Sequence, residues 1–395
     1  MKTAIGSVAF LLATGLAAFT AAQGCSSDKS NNGFGEQTDA GNADVYIPPA
    51  VGTDQPDSGE IVGEGCGGGE VLPQKVPVYF EFVVDGSGSM SGAKWDGQVA
   101  ALKAIFEDQK NKTAAQLANG EMVDTVMGVL VFEDRLNNVY NSGPFPKPGV
   151  DIAPQPIANN DDLAMFWGRV SGEASGGTPT LNAITGGYSV IESYVPQANV
   201  KVGGKRVVIL LSDGEPNGGS SEESQCVSLA TTKTSGAKPV YTYAIGVGNG
   251  SSYNPGFMAK LAQGGKTAPA GCNPALTSNP DCFYQIDPGS KTSTQITNEM
   301  VAALNSIRAL ASQCDLSLTL VDKDGKPADP KKVQVTYIDG NGKEVVIDKD
   351  PVNGWTYDND ADPTRIILNG NACVQARSDE KGKTKVKMGC KVGGG

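Results

Sequence analysis

The chain has 395 residues, of which 39% are hydrophobic and 19% charged, a balance that fits a globular protein with more than one folding unit. It contains no histidine, which excludes a Ser-His-Asp triad, a Cys-His dyad and a His-ligated zinc or haem. The formal net charge of −11 argues against nucleic acid, because phosphate binding requires clustered Lys and Arg. We therefore expect no nucleic-acid partner.

The first residues have the pattern of an export signal. One positive charge at Lys2 precedes an apolar run, and small residues precede Cys25. The segment Ala22–Cys25 resembles a bacterial lipobox, which implies a signal peptide over residues 1–24 and a lipid on Cys25. A secretory signal cleaved within Ala21–Gly24 is the alternative. We expect an outer-membrane or cell-surface lipoprotein of the cell envelope, or alternatively a soluble periplasmic or secreted protein.

Residues 25–75 have the composition of a spacer. They are rich in Gly, Ser, Asp and Pro, with more acidic than basic side chains and few large apolar ones. Such a segment cannot bury enough apolar surface to offset the entropy lost on ordering. The composition predicts a disordered acidic linker, which would hold the following residues away from a membrane.

Apolar strands alternate with amphipathic helices over residues 76–313. Strands are predicted at Val78–Val84, Val126–Phe132, Arg206–Leu211, Val240–Val247 and Phe283–Ile286. Helices are predicted at Trp95–Phe106, Leu163–Val170, Pro179–Tyr194, Ser220–Thr232, Phe257–Ala262 and Thr294–Ala311. This alternation predicts an α/β fold, a Rossmann-like doubly wound and mostly parallel sheet with helices on both faces.

The pattern changes over residues 314–395, where short strands are separated by Asp-Gly and Asn-Gly turns. The strands are predicted at Leu316–Leu320, Val333–Tyr337, Val345–Ile347, Arg365–Leu368 and Thr384–Lys387. We expect a small β-rich C-terminal region that contains disulfide bonds.

Export would place the cysteines in an oxidising compartment, where disulfides are the default. None of the eight lies in a Cys-x-x-Cys motif, so the sequence supports neither a zinc nor a redox site. If Cys25 carries a lipid, the most economical pairing is Cys66–Cys314, Cys272–Cys282 and Cys373–Cys390, which leaves Cys226 free. Sequence alone does not determine connectivity, so this pairing is a hypothesis.

Short side chains with oxygen atoms occupy the predicted carboxyl ends of strands. Asp85, Ser87 and Ser89 alternate on a glycine-containing loop after the first strand, Thr178 opens a helix, and Asp213 ends a later strand. Ligands of doubly wound sheets bind at this edge. An oxygen-only set with two carboxylates suits Mg²⁺ or Mn²⁺. Because only two carboxylates would contact the ion, it would stay electrophilic. An acidic oxygen from another molecule could then complete its coordination shell.

Three segments, Asp85–Met90, Gly176–Thr180 and Leu211–Asn217, resemble in order and spacing the metal-ion-dependent adhesion site (MIDAS) of von Willebrand factor type A (vWA) domains. The resemblance covers Val76–Gln313. It implies a site that is intact at all five positions and a function of metal-dependent binding to a protein or extracellular-matrix ligand, without catalysis.

The same resemblance implies roles for the individual residues. Ser87, Ser89 and Thr178 would coordinate the metal through their hydroxyls. Asp85 and Asp213 would act directly or through water, and an acidic residue of the ligand would take the open position.

Other interpretations of these residues exist. Asp85-Gly86 and Asp213-Gly214 could be simple turns, and Thr178 could be a helix N-cap before a first-turn proline. Two other functions are an envelope assembly or scaffold subunit of a larger complex and, less favoured, a metal-dependent hydrolase. Against the hydrolase stand the absence of histidine and of a suitable general base near the site.

Overall fold

The structure is a computed structural model that describes residues 69–235, 238–249, 253–269, 272–274, 282–320, 327–379 and 382–389. All of them lie in the second of two units, 1–42 and 43–395, into which contacts divide the chain. The predicted signal peptide, the lipidation candidate Cys25, and the cysteines Cys66 and Cys390 lie outside the described residues.

Long strands and helices alternate first, and short strands follow. The strands are β1 (Gly69–Val71), β2 (Gln74–Lys75), β3 (Val78–Asp85), β4 (Thr125–Phe132), β5 (Asp134–Leu136), β6 (Val139–Tyr140), β7 (Ile152–Gln155), β8 (Glu173–Ala174), β9 (Lys205–Ser212), β10 (Val240–Val247), β11 (Tyr284–Ile286), β12 (Asp315–Ser317), β13 (Val333–Ile338), β14 (Glu344–Ile347), β15 (Trp355–Tyr357), β16 (Arg365–Leu368) and β17 (Lys383–Met388). The helices are α1 (Ala93–Ala118), α2 (Asn160–Arg169), α3 (Thr180–Ser193), α4 (Gly219–Lys233), α5 (Pro255–Gly264), α6 (Ser293–Gln313) and α7 (Gly370–Ser378). Within the described ranges, no helix is both long and apolar enough to cross a bilayer.

A six-stranded sheet in the order β11-β10-β9-β3-β4-β7 forms the centre of the fold. Its strands are parallel except β7, which pairs antiparallel with β4. The fold is therefore α/β with a mostly parallel sheet, as the sequence predicts. The strand order reverses at β3, which has β4 on one side and β9 on the other, so Asp85 ends the strand at the switch point.

Helices cover both faces of this sheet because every second residue of a strand points to the same side. Phe80 and Phe82 of β3 enter one core, which also contains side chains of α1, α2 and α6. Tyr79 and Val83 enter the other core, with side chains of α3, α4 and α5. With both faces buried, β3 is fixed in position and its last residue has little freedom.

The C-terminal region contains two four-stranded sheets, β1-β17-β13-β14 and β15-β16-β12-β2. The predicted linker, residues 25–75, extends too far. Residues 69–71 form β1 and pair with β17, and residues 74–75 form β2 and pair with β12. Short edge strands need only backbone hydrogen bonds, so a polar composition does not exclude them. Helix α7 was not predicted in this β-rich region.

Two disulfide bonds lie within the described residues. Cys272 joins Cys282, as predicted, and Cys226 is a buried free thiol. The second bond joins Cys314 to Cys373, with their Cα atoms 5.1 Å apart, so the predicted Cys66–Cys314 and Cys373–Cys390 pairs are wrong. Cys314 directly precedes β12, and its carbonyl accepts a hydrogen bond from the backbone N–H of Leu368, which brings it close to α7.

Candidate metal-binding site

The loop after β3 begins at Asp85, which is fully buried. One carboxylate oxygen of Asp85, Oδ1, accepts the backbone N–H of Ser87 at 2.8 Å. The backbone of Gly86 donates to the carbonyl of Phe132 at 2.9 Å, which ties the loop to the end of β4. A Cβ on Gly86 would lie 2.8 Å from the Cβ of Asp134, so the close approach of the two strand ends requires glycine here.

Hydroxyl groups connect the ends of β3 and β9. Ser87 Oγ and Ser89 Oγ are 2.9 Å apart, and Ser89 Oγ donates to Asp213 Oδ1 at 3.1 Å. Ser212 Oγ donates to Asp85 Oδ2 at 2.6 Å. These hydrogen bonds join the side chains of Ser87, Ser89 and Asp213, and the backbone N–H of Ser87 connects this group to the carboxylate of Asp85. Ser89 is exposed, whereas Ser87 is buried, so the group opens to solvent at Ser89.

The fifth predicted residue, Thr178, lies two residues before α3 on a separate loop. Its backbone N–H donates to Asn217 Oδ1 at 2.8 Å, and its carbonyl accepts the backbone N–H of Asn217 at 2.9 Å. The backbone N–H of Gly88 donates to the carbonyl of Gly176 at 3.0 Å, which joins this loop to the loop of Ser87 and Ser89, which we term the serine loop. All three predicted segments therefore meet at the carboxyl edge of the sheet.

The negative charge of Asp213 disfavours the ionised form of the buried Asp85. Burial raises the pKa of Asp85 to about 6, and the negative charge of Asp213 adds to this effect, while hydrogen bonds from Ser212 and Ser87 oppose it. A cation placed between them would relieve the repulsion. No group of three or more Asp, Glu or Cys side chains suited to a metal occurs among the described residues, so hydroxyls have to complete any shell. This oxygen-only donor set fits a hard cation such as Mg²⁺ or Mn²⁺.

Lys94, on the first turn of α1, is a part of the site that the sequence did not reveal. Its Nζ atom lies 2.7 Å from Asp213 Oδ2, and its side chain is 21% exposed. The short loop between Asp85 and α1 brings this turn back over the site. The available signal was a lysine on the first turn of the helix that follows the Asp-x-Ser-x-Ser loop.

Glu133 is a second residue that the sequence interpretation missed. It directly follows Phe132, the residue of β4 that pairs with Asp85, and its φ of 56° lies in the left-handed region. Burial raises the pKa of Glu133, although its carboxylate accepts the backbone N–H of Gly177. Glu133 therefore supports the loop that carries Thr178. Its position at the carboxyl end of a predicted strand was the signal for it.

A buried charged group, which we term the Arg169 cluster, lies beneath the site. Arg169 contacts Asp134 Oδ2 through Nη1 and Asp151 Oδ1 through Nε, each at 2.8 Å. The side chains of all three residues are at most 2% exposed. Because Asp134 packs against Gly86, the cluster supports the loop from inside the protein.

Two cavities differ in their relation to the site. One of about 360 Å³ lies beside it and is lined by polar residues including Asn182, Asn217 and Gln225. A larger one of about 680 Å³ is lined by basic residues such as Lys75 and Lys205 and lies at the amino ends of the strands. The larger cavity contains none of the predicted site residues, so cavity size does not indicate the site.

The sheet order and the helices on both faces give the chain a vWA-like α/β fold, with the three motif segments at the carboxyl edge of the sheet. No family model matches the chain. Inter-alpha-trypsin inhibitor heavy chain H3 of Pongo abelii is 27% identical over 224 residues, which are 56% of this chain and 22% of that protein. The Bos taurus protein of the same name is 26% identical over 193 residues, 48% of this chain and 19% of that protein. The chain thus spans about a fifth of the length of the curated relatives it matches.

Solved structures with a similar chain path share little sequence with this protein. The pilus adhesin SpaC from Lactobacillus rhamnosus GG is 14% identical, with 80% of this chain and 39% of that chain covered and a TM-score of 0.42. The manganese-loaded Plasmodium vivax TRAP protein is 18% identical, with 60% and 74% covered and a TM-score of 0.34. Proximal thread matrix protein 1 from the mussel byssus, in a structure with a zinc-occupied MIDAS motif, is 19% identical, with 60% and 48% covered and a TM-score of 0.33. These values leave the function to be argued from the site itself.

Proposed function

We propose that this protein binds a protein or extracellular-matrix partner through a divalent metal ion and does so without catalysis. The observation that carries the proposal is the connected group at the sheet edge, in which Asp85, Ser87, Ser89 and Asp213 are linked by hydrogen bonds beside the loop of Thr178. Mg²⁺ or Mn²⁺ is the proposed ion because every available donor is oxygen.

All five residues would contribute oxygen atoms to the coordination of the ion. Ser87, Ser89 and Thr178 would offer hydroxyl oxygens, and Asp85 and Asp213 would offer carboxylates directly or through water. A bound ion would supply a Lewis-acidic position for an acidic oxygen of the partner. Ser89, the exposed member, is where that oxygen would approach.

Catalysis has less support than binding at this site. Both oxygens of Asp85 accept hydrogen bonds, from Ser87 and Ser212, and both oxygens of Asp213 accept them from Ser89 and Lys94. A general base has to reach a proton of the substrate, and Asp85 is fully buried while the Asp213 side chain is 6% exposed and paired with Lys94. The chain also has no histidine to take that role.

The proposed setting is the cell envelope. The two disulfides support an oxidising compartment. The lipobox-like segment supports an exported lipoprotein that is anchored to the membrane through Cys25. In this proposal residues 25–68 are the spacer, residues 76–313 form the vWA domain that meets the partner, and residues 314–395 form the β-rich region behind it.

Thermal melting of the full chain in EDTA, Mg²⁺, Mn²⁺ or Ca²⁺, with Asp85→Ala beside the wild type, tests the proposal. An ion that binds only the folded state stabilises it by about 2.7 kcal/mol at a hundred times its Kd. We expect Mg²⁺ or Mn²⁺ to raise the Tm of the wild type and not of Asp85→Ala. Asp360→Ala, which removes an exposed carboxylate in the C-terminal region, should keep the full shift. No shift in the wild type at millimolar metal would remove the metal-bridged mechanism; a shift would lead to partner pull-downs with and without EDTA.

A further inference from the structure

The ion pair between Lys94 and Asp213 places a cation of the protein itself at the proposed metal site. Lys94 Nζ lies 2.7 Å from Asp213 Oδ2, and the Asp213 side chain is only 6% exposed. The other oxygen, Oδ1, accepts the Ser89 hydroxyl. An ion that used Asp213 would therefore share this carboxylate with an ammonium group or displace it.

The position of Lys94 follows from the local backbone. A single turn of 3₁₀ helix, Gly88–Met90, ends the serine loop, and Gly92 at a φ of 78° starts α1 at Ala93. Lys94 is the second residue of the helix, so its side chain reaches back to the loop. The contact differs from a surface ion pair on the same helix, Lys112 with Asp108, whose side chains are 59% and 45% exposed.

The charges at the site determine how tightly it can hold an ion. Asp85 and Asp213 carry two negative charges when ionised, and Lys94 offsets one of them. A divalent ion added to this group leaves one net positive charge, and the low exposure of the pair limits screening by water. A carboxylate from a partner would bring the total to zero.

We propose that Lys94 is an internal counter-cation that weakens metal binding in the absence of a partner and makes retention of the metal depend on the carboxylate of the partner. The inference rests on the proposed function and adds its regulation. Metal and acidic ligand would each raise the affinity for the other by the same factor, as linkage requires. A partner without a carboxylate would gain nothing from this coupling.

Isothermal titration of the full chain with Mn²⁺ alone tests the first half. Lys94→Met keeps the length of the side chain and removes its charge, and we expect it to bind Mn²⁺ about tenfold tighter than the wild type. Lys94→Arg keeps the charge and should bind like the wild type. Lys112→Met makes the same charge change at an ion pair on the same helix, away from the site, and should alter the affinity less than about twofold.

Acetate, as a carboxylate probe, tests the second half. Saturating acetate should raise the Mn²⁺ affinity of the wild type more than that of Lys94→Met, because the variant no longer has the positive charge that acetate offsets. If the wild type and Lys94→Met bound Mn²⁺ with equal affinity, this inference would be overturned and the proposed function would stand. Equal effects of acetate on the two proteins would have the same meaning. Absence of Mn²⁺ binding in every variant would overturn both.

Discussion

The candidate site and the Arg169 cluster are two neighbouring groups of buried charges that are compensated differently. In the cluster, one guanidinium contacts both Asp134 and Asp151, and no side chain is more than 2% exposed. In the site, Lys94 offsets only Asp213, while Asp85 is held by a hydroxyl and a backbone N–H. Each group thus has one cation for two carboxylates, but the cluster shares its cation between both, whereas in the site Asp85 has no ion pair among the described residues.

Two acidic residues of strand β3 also differ in how their carboxyl groups are compensated. Asp85 has hydrogen-bond partners for both oxygens, whereas Glu81, four residues earlier, is fully buried and neither oxygen has a partner among the described residues. Burial raises the pKa of Glu81 well above 4.5, and the charge of Asp151 raises it further. Folding therefore favours the protonated form of Glu81, whereas hydrogen bonds from Ser212 and Ser87 favour the ionised form of Asp85.

Removing the cation of the enclosed cluster should have the largest effect. Arg169→Met leaves Asp134 and Asp151 buried without their shared partner, and we expect a loss of about 3–5 kcal/mol in the free energy of unfolding. Urea denaturation at pH 7 in EDTA measures it. Lys349→Met breaks an exposed pair with Asp360 and should change stability by less than about 1 kcal/mol. Equal losses in the two variants would mean that the cluster is not a stabilising charge group.

Glu81→Gln should have the next largest effect, and its sign depends on pH. The pKa of Glu81 is raised on folding, so its ionisation favours the unfolded chain, and stability is lost as the pH rises above 4.5 towards the folded-state pKa. Gln does not titrate, so the variant should gain on the wild type by about 1.4 kcal/mol per pH unit in that interval.

Urea midpoints between pH 4 and 8, in EDTA, measure the difference. Burying the Gln amide costs free energy at every pH. The test is therefore how the difference in unfolding free energy between the variant and the wild type changes with pH, not the size of that difference at one pH. Stability curves that run parallel for Glu81→Gln and the wild type would show that Glu81 is ionised in the folded protein.

The sequence predicted the parts of the fold and the site that depend on local pattern. Asp85, Ser87 and Ser89 lie within five residues of a strand end, and the alternation of strands and helices places that end at the carboxyl edge of the sheet. The ion pairs at and beneath the site are not local. Lys94 and Asp213 are 119 residues apart, and Asp134 and Arg169 are 35 apart, so only the folded chain shows that each pair meets.

The C-terminal region was harder to predict for a related reason. β1 and β2 are two or three residues long and belong to edges of sheets formed by distant strands, so they carry almost no pattern of their own. The pairing of Cys314 with Cys373 depends on β12 and β16 being neighbours, which brings the start of α7 close to the end of α6. A disulfide requires Cα atoms within about 7 Å, and sequence spacing does not supply that distance.

The smallest expected change in stability concerns the loop of Thr178. It tests whether this loop contributes to metal binding as well as to the free energy of unfolding. Asn217→Ala removes the acceptor of the Thr178 backbone N–H, and we expect a loss of about 1 kcal/mol in EDTA. Because the loop positions the Thr178 hydroxyl, the affinity for Mn²⁺ should fall several-fold as well. Asn182→Ala, an exposed residue lining the same polar cavity, is the matched control and should change neither quantity.

Measuring both the free energy of unfolding and the affinity for Mn²⁺ distinguishes the Arg169 cluster from the candidate site. Arg169→Met acts from inside the protein and should mainly lower stability, whereas Asn217→Ala should lower metal affinity by more than its small effect on stability suggests. If Asn217→Ala lost stability but bound Mn²⁺ like the wild type, Thr178 would be a helix-entry residue and not a metal ligand. The site would then rest on Asp85, Ser87, Ser89 and Asp213 alone.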